Sequence, residues 1–242
     1  MVRIPILFIL FLLAREAQAI VWRGDLKEAE SKQQAEMAQV GKVFYSPLRV
    51  FGGSCLAMGG KWVLTSRHGT DKWPPQFLAV EFPGLGKERY SVVEIVFPKE
   101  GDYALLKLAK EVKKAKKPVI FEGDPKKGHR VWIGGFGKSG PVGKIGSGGK
   151  FFSGHNKVDG LRGGKISISL SKPDDKLAEK DEAILAIYDS GSPLFVETKE
   201  GWRLAGVAST ASNGRNPGYG DRGNYARLKD GGDWIQKLME GE

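Results

Sequence analysis

Tyr188–Phe195 reads YDSGSPLF. A serine follows an acid and sits among small residues. Apolar strand-like runs lie on either side, AILAIY (183–188) before it and PLFVE (193–197) after it. Asp-Ser and Ser-Gly mark turns by themselves, so Ser190 reads as a hydroxyl in an ordinary hairpin as readily as it reads as an activated nucleophile. The choice depends on whether the rest of the chain supplies a base, an orienting acid and a compartment, and with them a fold that joins distant strand ends.

The chain around this stretch has 242 residues, 40% of them hydrophobic and 27% charged. That is the composition of a soluble globular protein and not of a disordered one. The 34 glycines are spread along the chain and favour many short strands joined by turns over long helices. From Val40 onward, short apolar runs alternate with Gly, Pro, Asp or Lys clusters: VGKVFY, LRVFGG, KWVLTS, FLAVEF, YSVVEIVF, YALLKL, VWIGGF, KISISL, AILAIY, PLFVE, RLAGVAS and GNYARL. KISISL alternates strictly, the period-two pattern of a half-buried strand. Evenly spaced short strands predict an all-β sandwich or a pair of barrels. One helix is expected, at the C-terminus, with Asp233 as its cap and Trp234, Ile235, Leu238 and Met239 on one face. Asp25–Gln39 is polar and helix-permissive and reads as a leading segment.

The N-terminus supplies a compartment. Arg3 begins a short basic region, Ile4–Leu13 is apolar, and Ala17-Gln18-Ala19 ends on small residues. These are the parts of a secretory signal peptide. The apolar run is shorter than the roughly 20 residues that span a bilayer. Cleavage is expected after Ala19, giving a secreted or periplasmic protein. The single cysteine, Cys55, excludes an intramolecular disulfide, so the core alone must hold the fold. The net charge of +10 suits attraction to anionic surfaces or polymers. Lys107–Val119 concentrates six lysines and reads as a linker between two halves or as a contact for such a polymer.

Several motifs lead nowhere. Gly135–Gly140 matches GxGxxG after a strand, but the PVGKIGSGGK that follows cannot start the helix a dinucleotide site needs. Gly149-Lys150 lacks the upstream glycine and the following hydroxyl residue of a phosphate loop. No Cys or His spacing fits zinc, so no metal site is expected. The basic charge is not interleaved with surface-looking aromatics, which argues against nucleic acid.

A base and an acid remain. His68 ends the run Trp62–Gly69 (WVLTSRHG), and Asp102 heads the run 101–108 (GDYALLKL). An acid at the head of a buried strand is costly without a partner, and a histidine N–H is a natural one. A serine hydroxyl is a weak nucleophile until a base removes its proton. An imidazole titrates near neutrality and can take and return that proton. A carboxylate fixes the ring's tautomer and stabilises the imidazolium. His, Asp, Ser is one of the chain orders in which such triads occur.

WVLTSRHG, GDYALLKL and YDSGSPLF resemble the three signature segments of the chymotrypsin/trypsin-like serine proteases, in the same order. VWIGGFGKSG resembles the strand opening that family's second barrel, GVAST its substrate-binding strand, and GNYARLKDGGDWI its last strand and terminal helix. The likeness runs from Val40 to the end and is nearest in flavour to the exported bacterial branch. It implies two six-stranded antiparallel β-barrels and a C-terminal α-helix, with residues 20–120 forming the leading segment and first barrel and 121–242 the second barrel and helix. It implies a triad of His68, Asp102 and Ser190 in the cleft between the barrels, and an oxyanion hole from the N–H groups of Tyr188 and Ser190. Ile184, Ser209, Ala211 and Gly223 fall at substrate-pocket positions. Asp189 is the partner of a free Ile20 amine. The implied activity is cleavage of protein or peptide substrates through an acyl-enzyme, without metal or cofactor. Three departures point to a rival, a catalytically impaired, cationic binding protein of the same fold. Tyr188 stands where the family has glycine, Ser192 likewise, and Arg67 puts a cation beside the base.

Overall fold

The computed structural model describes residues 20–24, 35–46 and 48–241. The expected signal segment, residues 1–19, lies outside the described residues, as do 25–34 of the leading segment. Of that segment, Ala35–Gln39 forms a 3-10 turn.

The first strand, β1 (Val21–Trp22), is followed by six that close into a barrel: β2 (Val40–Tyr45), β3 (Val50–Ala57), β4 (Trp62–Thr65), β5 (Leu78–Glu81), β6 (Arg89–Val96) and β7 (Ala104–Leu108). Next come β8 (Arg130–Gly135), β9 (Gly140–Pro141), β10 (Phe152–Arg162), β11 (Lys165–Ser169), β12 (Ala183–Ile184), β13 (Pro193–Thr198), β14 (Gly201–Ala211) and β15 (Arg222–Arg227). Six of these, in the order β10-β11-β15-β14-β13-β8, close a second barrel. The three two-residue strands form a separate sheet, β12-β1-β9. The helix α1 spans Gly232–Glu240. The two barrels and the terminal helix agree with the expected all-β class.

Period two explains how the barrels join. In β4, Val63 points into the first barrel's core, while Trp62 and Leu64 belong to a cluster shared with the second barrel. In β8, Val131 and Ile133 face the second barrel's core and Trp132 faces the shared cluster. Phe195 in β13 does the same and packs on Trp132, ring centroids 5.4 Å apart. Alternate side chains leave a strand on opposite faces. A run that is apolar at every position therefore fills its own barrel with one face and seals the partner barrel with the other. From α1, Ile235 adds to the shared cluster, and Trp234 meets Tyr103 edge-on at 6.1 Å.

Four local expectations shift. AILAIY is a strand only at Ala183–Ile184, and the rest turns. Phe152–Arg162 is an eleven-residue strand with no counterpart among the expected runs. KISISL is buried beyond half: Ser167 is inaccessible along with Ile166 and Ile168. The helix starts two residues earlier than expected, so Asp233 lies in its first turn and Gly231 takes the cap position without a side-chain hydrogen bond.

Candidate active site

Register places the site. In the first barrel Thr65 pairs with Ala104 across β4 and β7. The residues leaving β4 therefore lie beside those entering β7, which brings His68 next to Asp102. The His68 backbone N–H donates to Asp102 Oδ1 at 3.0 Å. The ring Nδ1 lies 2.8 Å from Oδ2 and 3.0 Å from Oδ1. An ionised carboxylate only accepts, so Nδ1 carries the proton and Nε2 offers a lone pair. Ser190 Oγ lies 2.8 Å from that Nε2.

Ser190 arrives from the second barrel, in the turn before β13. Its carbonyl accepts the Ser54 N–H from β3 at 2.9 Å, so the turn is held against the first barrel. Thr65 donates its hydroxyl to the Ser54 carbonyl at 2.8 Å, and the Ser54 hydroxyl accepts the Phe136 N–H at 3.0 Å. Gly191 has φ +88°, and a Cβ there would stand 2.2 Å from both the Ser54 carbonyl and the Thr65 hydroxyl. Only glycine fits at that close approach.

Asp102 is braced from behind. The β14–β15 ladder slips between Ala208 and Thr210. Such a bulge re-aims a side chain. Ser209, at the slip, donates its hydroxyl to Asp102 Oδ2 at 2.5 Å. Burial alone raises the Asp102 pKa, but the hydrogen bonds from His68 and Ser209 outweigh it and hold the carboxyl below its ordinary value. Lys165 Nζ donates in turn to Ser209 Oγ at 2.9 Å. Nothing in the sequence flagged Lys165: it stands at a strand start among glycines, where lysine is commonplace.

The next residue back, Asp189, is wholly buried. Its carboxylate accepts N–H groups from Ala186 at 2.8 Å, Gly137 at 3.0 Å and Ile20 at 3.1 Å. Burial dominates and pushes its pKa up to about 7. In the continuous chain Ile20 offers only a neutral peptide N–H. Its φ is +63°, a strained value for a β-branched residue.

Tyr188 also has a positive φ, +71°. The tyrosine thus adopts a backbone conformation that glycine takes freely, at a cost on the order of 1–2 kcal/mol. Its ring lies 6.1 Å from that of Phe51. Among the described residues, neither the Tyr188 nor the Ser190 N–H donates to an acceptor. Arg67 is engaged elsewhere, its guanidinium 5.1 Å over the Phe97 ring and 3.4 Å from the Pro98 carbonyl. Ser192 is fully buried, and its hydroxyl has no partner among the described residues.

Beside Ser190 opens a cavity of about 180 Å³, walled by residues 185–188 on one side and Ala208–Ala211 on the other. Of the expected pocket residues, Ser209 and Ala211 line it and Ile184 and Gly223 do not. Ile184 is spent in the small sheet, paired with Val21 and packed with Leu170 and Ala186. Leu185, one residue on, takes the place at the wall. Gly223 lies behind Leu185, where a Cβ would come within 2.9 Å of the leucine side chain.

Against solved structures, the chain is similar to neuropsin, a serine protease expressed in the limbic system of mouse brain. The match covers 91% of this chain and 100% of that one, with a TM-score of 0.67 and 16% sequence identity. The fold is trypsin-like. At that identity the likeness speaks for the architecture alone. No protein-family model and no curated protein matches the sequence.

Proposed function

We propose that the protein is an exported serine endopeptidase. The observation that carries this reading is the linear chain of contacts in the cleft, Asp102 to His68 Nδ1 and His68 Nε2 to Ser190 Oγ, each at 2.8 Å. Ser190 Oγ attacks the scissile carbonyl while His68 Nε2 takes its proton. Asp102 keeps the ring in the required tautomer and stabilises the imidazolium. The N–H groups of Tyr188 and Ser190 receive the oxyanion, and the φ of Tyr188 supports this by keeping a glycine-like backbone there. His68 then protonates the leaving amine, and an acyl group remains on Ser190. Water, deprotonated by His68, releases it.

Signal cleavage after Ala19 frees the Ile20 amine. The burial of Ile20 and its contact with Asp189 support this as the activating step. A charged ammonium replaces a neutral donor at a buried carboxylate, which strengthens the bond and fixes the turn carrying Tyr188 and Ser190.

A fluorophosphonate probe on the exported, N-terminally sequenced protein tests the reading. Covalent labelling that disappears in Ser190→Ala is expected. A properly folded wild type that stays unlabelled would overturn it and favour the cationic binding protein.

A further inference from the structure

We infer that the cavity beside Ser190 selects an acidic side chain, Asp or Glu, on the residue whose carbonyl is attacked. This rests on the proposed peptidase reading and adds the substrate class.

One charged side chain lines the cavity, Arg215. It is exposed, and it makes no ion pair or side-chain hydrogen bond among the described residues. Three acids adjoin residues of the cavity lining or its loop, and each is engaged. Asp221, in the same loop, accepts the Ser212 hydroxyl and the Gly218 N–H, both at 2.8 Å. Asp102, behind the Ser209 wall, is taken by His68 and Ser209. Asp189 is buried on three backbone N–H groups. The guanidinium is therefore left with a fork of donors and no counter-charge, a geometry that matches a carboxylate in two parallel hydrogen bonds.

The remaining surface suits the same guest. Leu185, Ala208 and Ala211 offer apolar wall for a short methylene stem, and Thr210 adds a hydroxyl. Among the described residues no acid lines the cavity to receive a lysine or arginine. A wholly apolar guest offers Arg215 no acceptor and gains nothing from it, whereas a carboxylate gains a charge-assisted hydrogen bond. The net charge of +10 adds a long-range attraction for acidic chains.

The test compares kcat/KM for peptides differing only in Glu, Asp, Leu or Lys before the scissile bond, using the processed protein. Glu or Asp is expected to exceed both Leu and Lys by roughly ten- to a hundredfold, the range of a charge-assisted hydrogen bond. In Arg215→Ala the Glu-to-Leu ratio should collapse toward unity. In Arg215→Glu the Glu-to-Lys preference should invert. A wild type that the fluorophosphonate labels but that cleaves after Leu or Lys faster than after Glu overturns this inference and leaves the peptidase reading standing. So does an Arg215→Ala variant that keeps the acidic preference. Absence of labelling in the folded wild type overturns both together.

Discussion

The molecule holds two His–Asp pairs of nearly identical geometry. His68 Nδ1 meets Asp102 at 2.8 Å, and His155 Nδ1 meets Asp181 at 2.7 Å. In both, burial raises the carboxyl, and hydrogen bonds, from the histidine in each pair and from Ser209 as well for Asp102, outweigh it and hold the carboxyl below its ordinary value. The exposures are reversed. The His68 side chain is 46% exposed and Asp102 21%, whereas His155 is 13% exposed and Asp181 37%. His68 turns its far nitrogen to a hydroxyl. His155 lies 5.5 Å from the Trp202 ring, and its Nε2 is buried with no partner among the described residues. A sheltered acid behind an open ring can aim that ring at a guest. A sheltered ring behind an open acid can only brace a barrel wall. Chemistry therefore follows what Nε2 faces, and the dyad by itself says little.

The sharpest way to break this contrast is to remove each ring. His68→Ala should cut kcat/KM by about a millionfold, the scale seen when a triad base is lost. His155→Ala should change it less than about threefold while lowering the melting temperature. Equal kinetic losses in the two variants would end the distinction. Next come the acids. Asp102→Asn should cost about ten-thousandfold, because the amide selects the wrong tautomer. Asp181→Asn should leave the rate near wild type. Both carboxyls lie below their ordinary values in the folded protein, so both contribute stability that is complete at neutral pH and is lost as pH falls below about 4. Each Asn variant should therefore show a shallower acid-side decline in thermal melting than the wild type.

How far the sequence foretold this contrast depends on what each segment had to bury. His68, Asp102 and Ser190 were legible because each sits at the end of an apolar run, and chain ends of strands are where a barrel leaves side chains free. The β10 strand was not. Its inward positions include Gly154 and Asn156 beside Val158, so the period-two signal is nearly silent. Asn156 replaces apolar packing with two hydrogen bonds, to the Ser169 and Ala183 carbonyls at 3.0 and 2.8 Å. That strand also carries His155, which no apolar run flanks. AILAIY erred the other way. Its apolarity fills the small sheet and the cavity wall, and an apolar run cannot say whether it is straight. Lys165 and Arg215 gave no signal, since a lone basic residue near glycines is ordinary in a chain of this charge.

A third acid sharpens the comparison because it has no imidazole at all. Asp189 is held at a pKa of about 7 by burial. A raised carboxyl binds its proton more tightly in the folded state. Its stabilising contribution is complete below about pH 4 and is lost as pH rises through about 7. In the uncleaved chain, thermal melting should decline over that interval, and Asp189→Asn should remove that part of the decline. Should cleavage after Ala19 free the Ile20 amine, as proposed, its ammonium would pair with the carboxylate and the decline should shrink. Parallel curves for all three proteins would show that Asp189 titrates alike folded and unfolded.

Tyr188→Gly asks whether the cleft pair is served by a correctly aimed backbone. With φ already at +71°, glycine should alter kcat/KM by less than about tenfold. A gain near a hundredfold, the order of one lost oxyanion donor, would mean that the tyrosine misdirects its N–H.

The smallest effect concerns two of the buried polar atoms that lack a hydrogen-bond partner among the described residues, one beside each pair. His155 Nε2 belongs to a ring that packs on Trp202, so truncation forfeits contacts as well as the unpaired nitrogen. Ser192 Oγ is a bare hydroxyl in a fully buried position next to the Ser190 turn. Its backbone is already satisfied: its N–H donates to the Asp189 carbonyl and its own carbonyl accepts the Ala208 N–H, both at 2.8 Å. Ser192→Ala keeps the Cβ and both backbone bonds and deletes only the unsatisfied oxygen. It should stabilise the protein by about 1 kcal/mol. For a chain of this length that raises the melting temperature by roughly 2–4 °C. Fluorophosphonate labelling should proceed at the wild-type rate. A lower melting temperature would mean that the Ser192 hydroxyl has a partner, such as a buried water, and that the Ser190 turn depends on it.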